Sequence, residues 1–134
     1  MNIVLTEWSL SSYLDLKHSK VFSDTEYKRT LRPDIELLKL GWPSPCSQFS
    51  NPHFWGPATG LDGATIQHGF KMKWHNFGNG KVQLRVAVVI LFGKAFLCQG
   101  YVKNNAHKDK REMAKLKNRI NDISKGTYEH RGFL

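Results

Sequence analysis

The sequence contains few cysteines and no histidine or cysteine cluster of the kind that holds a metal. Its 134 residues include only Cys46 and Cys98, which are far apart and outside any metal-ligand spacing. They predict free thiols in a reducing compartment and argue against a disulfide framework. No two of His53, His68 and His75 fall at a recognised ligand spacing, so we expect no metal and no other cofactor.

Long apolar runs are also missing. The longest, from Val86 to Phe92, is far shorter than the roughly 18 residues that a membrane helix needs. The N-terminus carries Glu7 and Asp15 and has no basic segment before an apolar core, so we expect no signal peptide. These absences predict a soluble, cytoplasmic protein with no membrane partner, and the length predicts a single domain over residues 1–134.

Acidic residues are scarce in the second half of the chain. Residues 1–67 contain six Lys/Arg and seven Asp/Glu, a net charge of −1, whereas residues 68–134 contain fourteen and four, a net charge of +10. A neutral half joined to a strongly basic half indicates a surface that faces a polyanion. Nucleic acid is the first candidate. An anionic membrane is disfavoured, because no strongly amphipathic segment carries large exposed apolar residues beside its lysines.

The basic half begins with a predicted meander of three antiparallel strands, from Thr65 to Lys103. Asn79-Gly80 and Gly93-Lys94 divide it, and Asn79-Gly80 suits the positive φ angles of a tight hairpin. In the middle strand, Lys81 to Phe92, the period of two places alternate apolar residues on one face and Arg85 among mostly apolar neighbours on the other. An arginine in that setting either pairs with an acid or lines a site for an anion.

The first strand of the meander alternates between apolar and basic residues. The predicted apolar face contains Ile66, His68, Phe70, Met72 and Trp74. Lys71 and Lys73 lie on the other face, and if Arg85 shares it, three cations form a phosphate-binding surface. The alternative is that the two lysines face solvent on an edge strand and discourage aggregation.

The N-terminal third predicts a short strand followed by helices. Met1 to Leu5 alternates weakly, Ser9 can cap a first helix, and Ser23 to Glu26 matches a capping box that begins a second. A further helical piece after Pro33 can end at Gly41. The fold class predicted for the chain is therefore α+β, with N-terminal helices packed on a small antiparallel sheet and followed by a C-terminal helix.

Residues 42–64 predict a long loop. This segment holds four of the five prolines and shows no sustained period. A structureless segment of that length inside a domain tends to be functional, to bind a partner or to be disordered. Its aromatic side chains argue against simple disorder, because they favour burial or a partner.

The C-terminal region predicts a helix and a short tail with reactive groups. The helix runs from Asn104 to Gly126, with Asp109 and Glu112 as a D-x-x-E start. Tyr128, His130 and Arg131 in the tail offer a proton acceptor, a proton donor and a cation, which metal-free phosphodiester chemistry requires. The alternative is a disordered tail.

The segment from Lys81 to Arg119 resembles the RelE/ParE toxin superfamily, and most closely its HigB branch. The matching positions are Arg85, Tyr101-Val102-Lys103, Glu112, Ala114 and Arg119. Lys73 falls where the branch carries an arginine, but Lys71 falls where it carries an acid. The resemblance implies an α+β, RelE-like fold with a concave basic face, ribosome-dependent cleavage of messenger RNA, and a cognate antitoxin, typically a DNA-binding protein.

The sequence thus predicts a metal-independent endoribonuclease that acts as the toxin of a type II toxin-antitoxin system. Arg85 and Lys73 are the expected charge stabilisers, and His130 with Tyr128 is the expected acid/base pair. The residues expected to hold the RNA are Lys71, Lys103, Arg111 and Arg131. The alternatives are a module of the same fold without nuclease activity, which binds nucleic acid or a protein such as a topoisomerase, and a structural protein associated with the ribosome or DNA.

Overall fold

A computed structural model describes all 134 residues. They form one six-stranded sheet with helices on both faces. The strands are β1 (Ile3–Thr6), β2 (Trp55–Thr59), β3 (Thr65–Phe77), β4 (Val82–Leu91), β5 (Lys94–Val102) and β6 (His130–Phe133). The helices are α1 (Glu7–His18), α2 (Asp24–Glu26), α3 (Arg32–Glu36) and α4 (Ala106–Lys125). A π-helical turn (Tyr27–Leu31) joins α2 to α3, and 3-10 turns cover Leu37–Leu40 and Ser47–Ser50.

The predicted α+β class and three-strand meander are confirmed, but the sheet is larger than predicted. Its strand order is β2-β3-β4-β5-β1-β6, and all neighbours are antiparallel except β1 and β5. The expected N-terminal strand is present as β1. The additional strands are β2, from the predicted loop, and β6, from the C-terminal tail.

The turns of the meander differ in detail from the prediction. The β3–β4 turn takes its positive φ angles at Gly78 and Lys81, and not at Asn79-Gly80. A further positive φ, of 71°, occurs at His68 within β3. The strand shifts its alternation there, so Ile66 lies on the opposite face of the sheet from Phe70, Met72 and Trp74. The prediction that these residues share one face is therefore wrong at Ile66.

Each face of the sheet supports its own apolar core. The core on the α1–α3 side contains Leu84 and Val88 of β4, whereas the core under α4 contains Ala87 and Val89. This division confirms the alternation predicted for β4. The stripe predicted along α4 is also confirmed, with Met113, Leu116 and Ile123 buried and Ile120 packed beside them.

Local hydrogen bonds fix the ends of the helices. Ser23 and Glu26 form the predicted capping box at α2. Helix α1, however, begins earlier than expected, because Thr6 caps it and forms a box with Ser9. Helix α4 is capped by Asn105, so the D-x-x-E start predicted at Asp109 is wrong, and Gly126 ends the helix in the left-handed conformation as predicted.

The segment 42–64 is ordered, which corrects the prediction of a structureless loop. It contains a 3-10 turn and strand β2, which pairs with β3. Trp42, Phe49 and Trp55 pack against one another and, together with Phe70, form an aromatic cluster with centroid separations of 4.9–6.0 Å. Burial of these rings holds β2 at the edge of the sheet. No helix is long and apolar enough to cross a bilayer.

Candidate nucleic-acid interface

Three polar side chains form a row across the α4 side of the sheet. Lys73 of β3 lies directly opposite Arg85 of β4, and Arg85 lies directly opposite Tyr101 of β5. Residues that face each other in neighbouring strands project from the same side of a sheet. The prediction that Lys73 and Arg85 share a face is therefore confirmed, and Lys71 joins them by the period of two.

Arg85 is buried without a carboxylate partner. The residue is only 6 % exposed, and its guanidinium forms no ion pair. One guanidinium nitrogen, Nη1, donates to the backbone oxygens of Leu84 (3.1 Å) and Trp74 (3.4 Å). Burial lowers the pKa of Arg85, while Tyr101 and Asp109 act to raise it. A guanidinium stays charged in proteins, so the sheet holds a positive charge that no acid neutralises directly.

Lys73 is a second cation without an acidic partner. Its ammonium donates to the backbone oxygen of Pro52, 2.9 Å away. Burial lowers the pKa of Lys73, and the neighbouring charges of Lys71, Arg85 and Lys103 lower it further. Lys73 and Arg85 face each other across paired strands, so an anion bound between them would relieve their mutual repulsion.

Lys71 is paired with an acid from α4. Its ammonium lies 3.0 Å from Oδ2 of Asp109, and the Tyr101 hydroxyl donates to Oδ1 of the same carboxylate. Burial acts to raise the pKa of Asp109, but the hydrogen bonds from Tyr101 and Lys71 outweigh it and the pKa is lowered. Burial, followed by the bond to Asp109, raises the pKa of Tyr101 far above its usual range. Lys71 is therefore in the predicted place but is partly neutralised.

Lys103 completes the group, which we call the cation cluster: Lys71, Lys73, Arg85 and Lys103. Its backbone N–H donates to the backbone oxygen of Gln83 (2.8 Å), and its charge acts on both Lys73 and Asp109. The first turn of α4 reaches the cluster through Asp109. A helix N-terminus carries partial positive charge, so it adds to the attraction for anions.

His75 lies beside the cation cluster, although from the sequence it was weighed only as a metal ligand. It follows Lys73 by two residues, and its Nδ1 lies 3.0 Å from Oε1 of Gln83, which shares the Arg85 face. Its Nε2 lies 2.6 Å from the backbone oxygen of His53. The side chain is exposed. The alternation Lys71, Lys73, His75 was the signal in the sequence that could have identified it.

The structure does not bring the predicted acid/base pair to the cluster. His130 lies in β6, which is separated from β4 by β5 and β1, or about 14 Å at the usual strand spacing. Its ring packs on Phe133, and its Nδ1 accepts from the backbone N–H of Gly132. Tyr128 packs edge-on against Phe96. The expectation that these residues and Arg85 form one site therefore fails, because the tail pairs with β1 at the far edge of the sheet.

Two of the residues expected to bind RNA lie away from the cluster. Arg111 is exposed and precedes buried Met113 by two residues, so it projects about 200° around α4 from the packed face. Arg131 lies in β6, on the side of β5 that is opposite to β4, and forms an ion pair with Glu129 (3.0 Å). Of the eight predicted site residues, the structure thus groups Lys71, Lys73, Arg85 and Lys103.

The fold and the cluster define an α+β protein with a basic site on one face of its sheet. No group of histidine, cysteine, aspartate or glutamate side chains in the structure is arranged to hold a metal ion. No protein-family model, no curated protein and no solved structure matches the chain.

Proposed function

We propose that the protein is an endoribonuclease that cleaves messenger RNA at the cation cluster without a metal ion. The observation that carries the proposal is the facing pair Lys73 and Arg85, two cations on one face of the sheet with no carboxylate bonded to either. Uncompensated, partly buried cations are costly for a fold and are typical of sites that receive an anion. The RNA backbone supplies such an anion at every nucleotide.

The proposed reaction uses the 2′-hydroxyl of the RNA as the nucleophile. The 2′-hydroxyl gives its proton to the His75 imidazole as its oxygen forms a bond to the adjacent phosphorus. The bond from phosphorus to the 5′ oxygen then breaks, and the leaving oxygen takes a proton from the His75 imidazolium. Arg85 and Lys73 stabilise the additional negative charge of the phosphorane. We assign both proton transfers to His75, because its side chain is exposed and lies beside the cluster, and this role replaces the one expected for His130.

The Asp109 carboxylate has a positioning role in this proposal. It bonds both the Lys71 ammonium and the Tyr101 hydroxyl, and so fixes two side chains on either side of Arg85. It also keeps the net charge of the cluster positive but limited, since one acid faces four cations. The RNA would therefore meet a rigid set of donors that need little reorganisation.

The biological setting of the proposal rests on the resemblance of Lys81 to Arg119 to the RelE/ParE superfamily. It comprises a RelE-like fold, a role as the toxin of a type II toxin-antitoxin system, cleavage on the ribosome in the cytoplasm, and neutralisation by an antitoxin. A neighbouring reading frame that encodes a small DNA-binding protein would support it. Growth arrest on expression, with cut messages, is the expected phenotype.

His75→Gln is expected to lower the rate of RNA cleavage roughly 100-fold while leaving RNA affinity nearly unchanged. The physical reason is that glutamine keeps a hydrogen-bonding side chain but cannot exchange a proton. The measurement is single-turnover cleavage of ribosome-bound messenger RNA in a magnesium buffer that keeps the ribosome intact, with the product ends mapped. We expect 2′,3′-cyclic phosphate ends. His130→Gln is the matched control and is expected to cleave normally; loss of activity in that variant alone would contradict the proposed site.

A module that binds without cleaving is the second candidate, and the burial of Arg85 favours it. With 6 % of the residue exposed, little of the Arg85 side chain can meet a phosphate. RNA binding without cleavage, even on the ribosome, would support this candidate. Growth arrest with intact messages and DNA damage would indicate a topoisomerase as the target.

A further inference from the structure

A polar groove lies between α1 and α4, beside the cation cluster. It encloses about 830 Å³, within the usual range for a small-ligand site. The last residues of β5 form its floor, and Tyr101 lines it while also facing Arg85. The groove and the cluster are therefore connected through one residue.

The floor of the groove contains an unsatisfied hydrogen-bond acceptor. Gln99 is 3 % exposed, and its Oε1 is the one buried side-chain nitrogen or oxygen in the protein without a partner. Its Nε2 donates to the backbone oxygen of Glu112 at 2.9 Å. Exchanging the two ends of the amide would not help, because an oxygen cannot donate to a carbonyl. Because this oxygen is covered in the unliganded protein, a ligand donor in the groove satisfies it only after the Gln99 side chain rotates toward the groove.

Glu112 places a carboxylate against the same groove. The residue is 5 % exposed, and its only charged partner is the largely exposed Lys115, whose ammonium lies 2.8 Å from Oε2. The second carboxylate oxygen, Oε1, has no protein partner. A buried carboxylate with one free oxygen attracts a donor from a ligand.

Donors line the groove as well. The Arg119 guanidinium is held 5.0 Å over the Trp8 ring, and burial lowers its pKa while Cys98, Glu112 and Glu7 act to raise it. Among the side chains that line the groove, four are acidic and four are basic. This balance does not favour a phosphate chain, in contrast to the cation cluster. It favours a neutral ligand that carries both donors and acceptors.

We propose that this groove binds a guanine base of the RNA, an inference that rests on the proposed function. The edge of guanine presents N1–H and N2–H donors, which match the oxygens of Glu112 and Gln99. Its O6 and N7 acceptors match an arginine such as Arg119. Adenine presents a different order of donors and acceptors, so the groove gives the cleavage site a preference for guanine next to the cut phosphate.

The test is calorimetric binding of mononucleotides to the full chain, without RNA or ribosomes. We expect GMP to bind at least tenfold more tightly than AMP, with IMP between them because it lacks the N2 amino group. Glu112→Gln and Gln99→Met are each expected to weaken GMP binding roughly tenfold, with thermal unfolding as the check on folding. Glu36→Gln, which makes the same change at a surface acid outside the groove, is the matched control.

The outcomes separate this inference from the proposed function. RNA cleavage with no difference between GMP and AMP would overturn the guanine site and leave the nuclease intact. GMP binding that is lost in the two variants, with no RNA cleavage under any condition, would support the site and overturn the nuclease. Tighter binding of free arginine than of GMP would overturn the assignment to guanine, because a guanidinium also presents paired donors.

Discussion

Arg85→Met is expected to reduce RNA cleavage by roughly 1000-fold and, at the same time, to make the protein more stable. The loss of activity follows because the guanidinium is the cation at the centre of the row and would face the phosphorane. The gain follows because a buried charge without an acidic partner costs free energy. Replacing buried charged groups by apolar side chains of similar volume often stabilises a protein, here by about 1 kcal/mol. Chemical denaturation and single-turnover cleavage measure the two effects.

A loss of cleavage together with a gain in stability would distinguish a binding role of Arg85 from a structural one. If Arg85 mainly held the sheet together through its bonds to Trp74 and Leu84, the methionine variant would be destabilised by several kcal/mol. Arg29→Met is the control, because Arg29 is an exposed arginine without an ion pair. It is expected to change neither cleavage nor stability. Full cleavage by Arg85→Met would remove this residue from the site.

Gly78→Ala is expected to lower the free energy of unfolding by about 3 kcal/mol. Gly78 lies in the β3–β4 turn with φ at 72°, where any other residue is strained. An added Cβ would lie 2.5 Å from the backbone oxygen of Val21, in the segment between α1 and α2. The alanine therefore separates the turn from the N-terminal helices or distorts the hairpin that carries Lys73 and Arg85. Urea denaturation measures the change.

Gly80→Ala in the same turn is the matched control. Its φ is not positive, and the nearest atom to an added Cβ is a side-chain carbon of Val82 at 3.5 Å, an ordinary contact. We expect a change within about 0.5 kcal/mol. Equal losses in the two variants would show that the close approach to Val21 does not decide the stability of this turn.

Local periodicity explains why half of the predicted site was placed correctly. The alternation along β3 and β4 fixes which side chains of one strand share a face. It left open whether Lys73 and Arg85 lie on the same face, and the pairing of β3 with β4 decides that. The same argument failed at Ile66, because a single residue with positive φ, His68, reverses the alternation. Gly69, directly after His68, is the signal in the sequence that could have indicated the irregularity, because a glycine inside a strand often marks a bulge.

The position of the tail could not be predicted from local patterns. His130 and Arg131 are close to α4 in sequence, but β6 pairs with β1, whose residues lie more than 100 positions earlier in the chain. This long-range pairing depends on β1 having a free edge after its other edge has paired with β5. The Tyr101–Asp109 and Gln99–Glu112 contacts were missed for another reason. The partners are close in sequence, but each contact joins a strand to a helix and does not follow from the periodicity of either element alone.

The salt dependence of RNA binding tests the central claim, that Lys73 and Arg85 receive the charged backbone of RNA. For single-stranded RNA, each phosphate contact contributes about 0.7 to the slope of log affinity against log salt concentration. Lys73→Met is predicted to lower that slope by about 0.7, whereas Arg111→Met, on the far side of α4, leaves it unchanged. Equal slopes for the wild type and Lys73→Met, or a reduced slope only for Arg111→Met, would contradict the account.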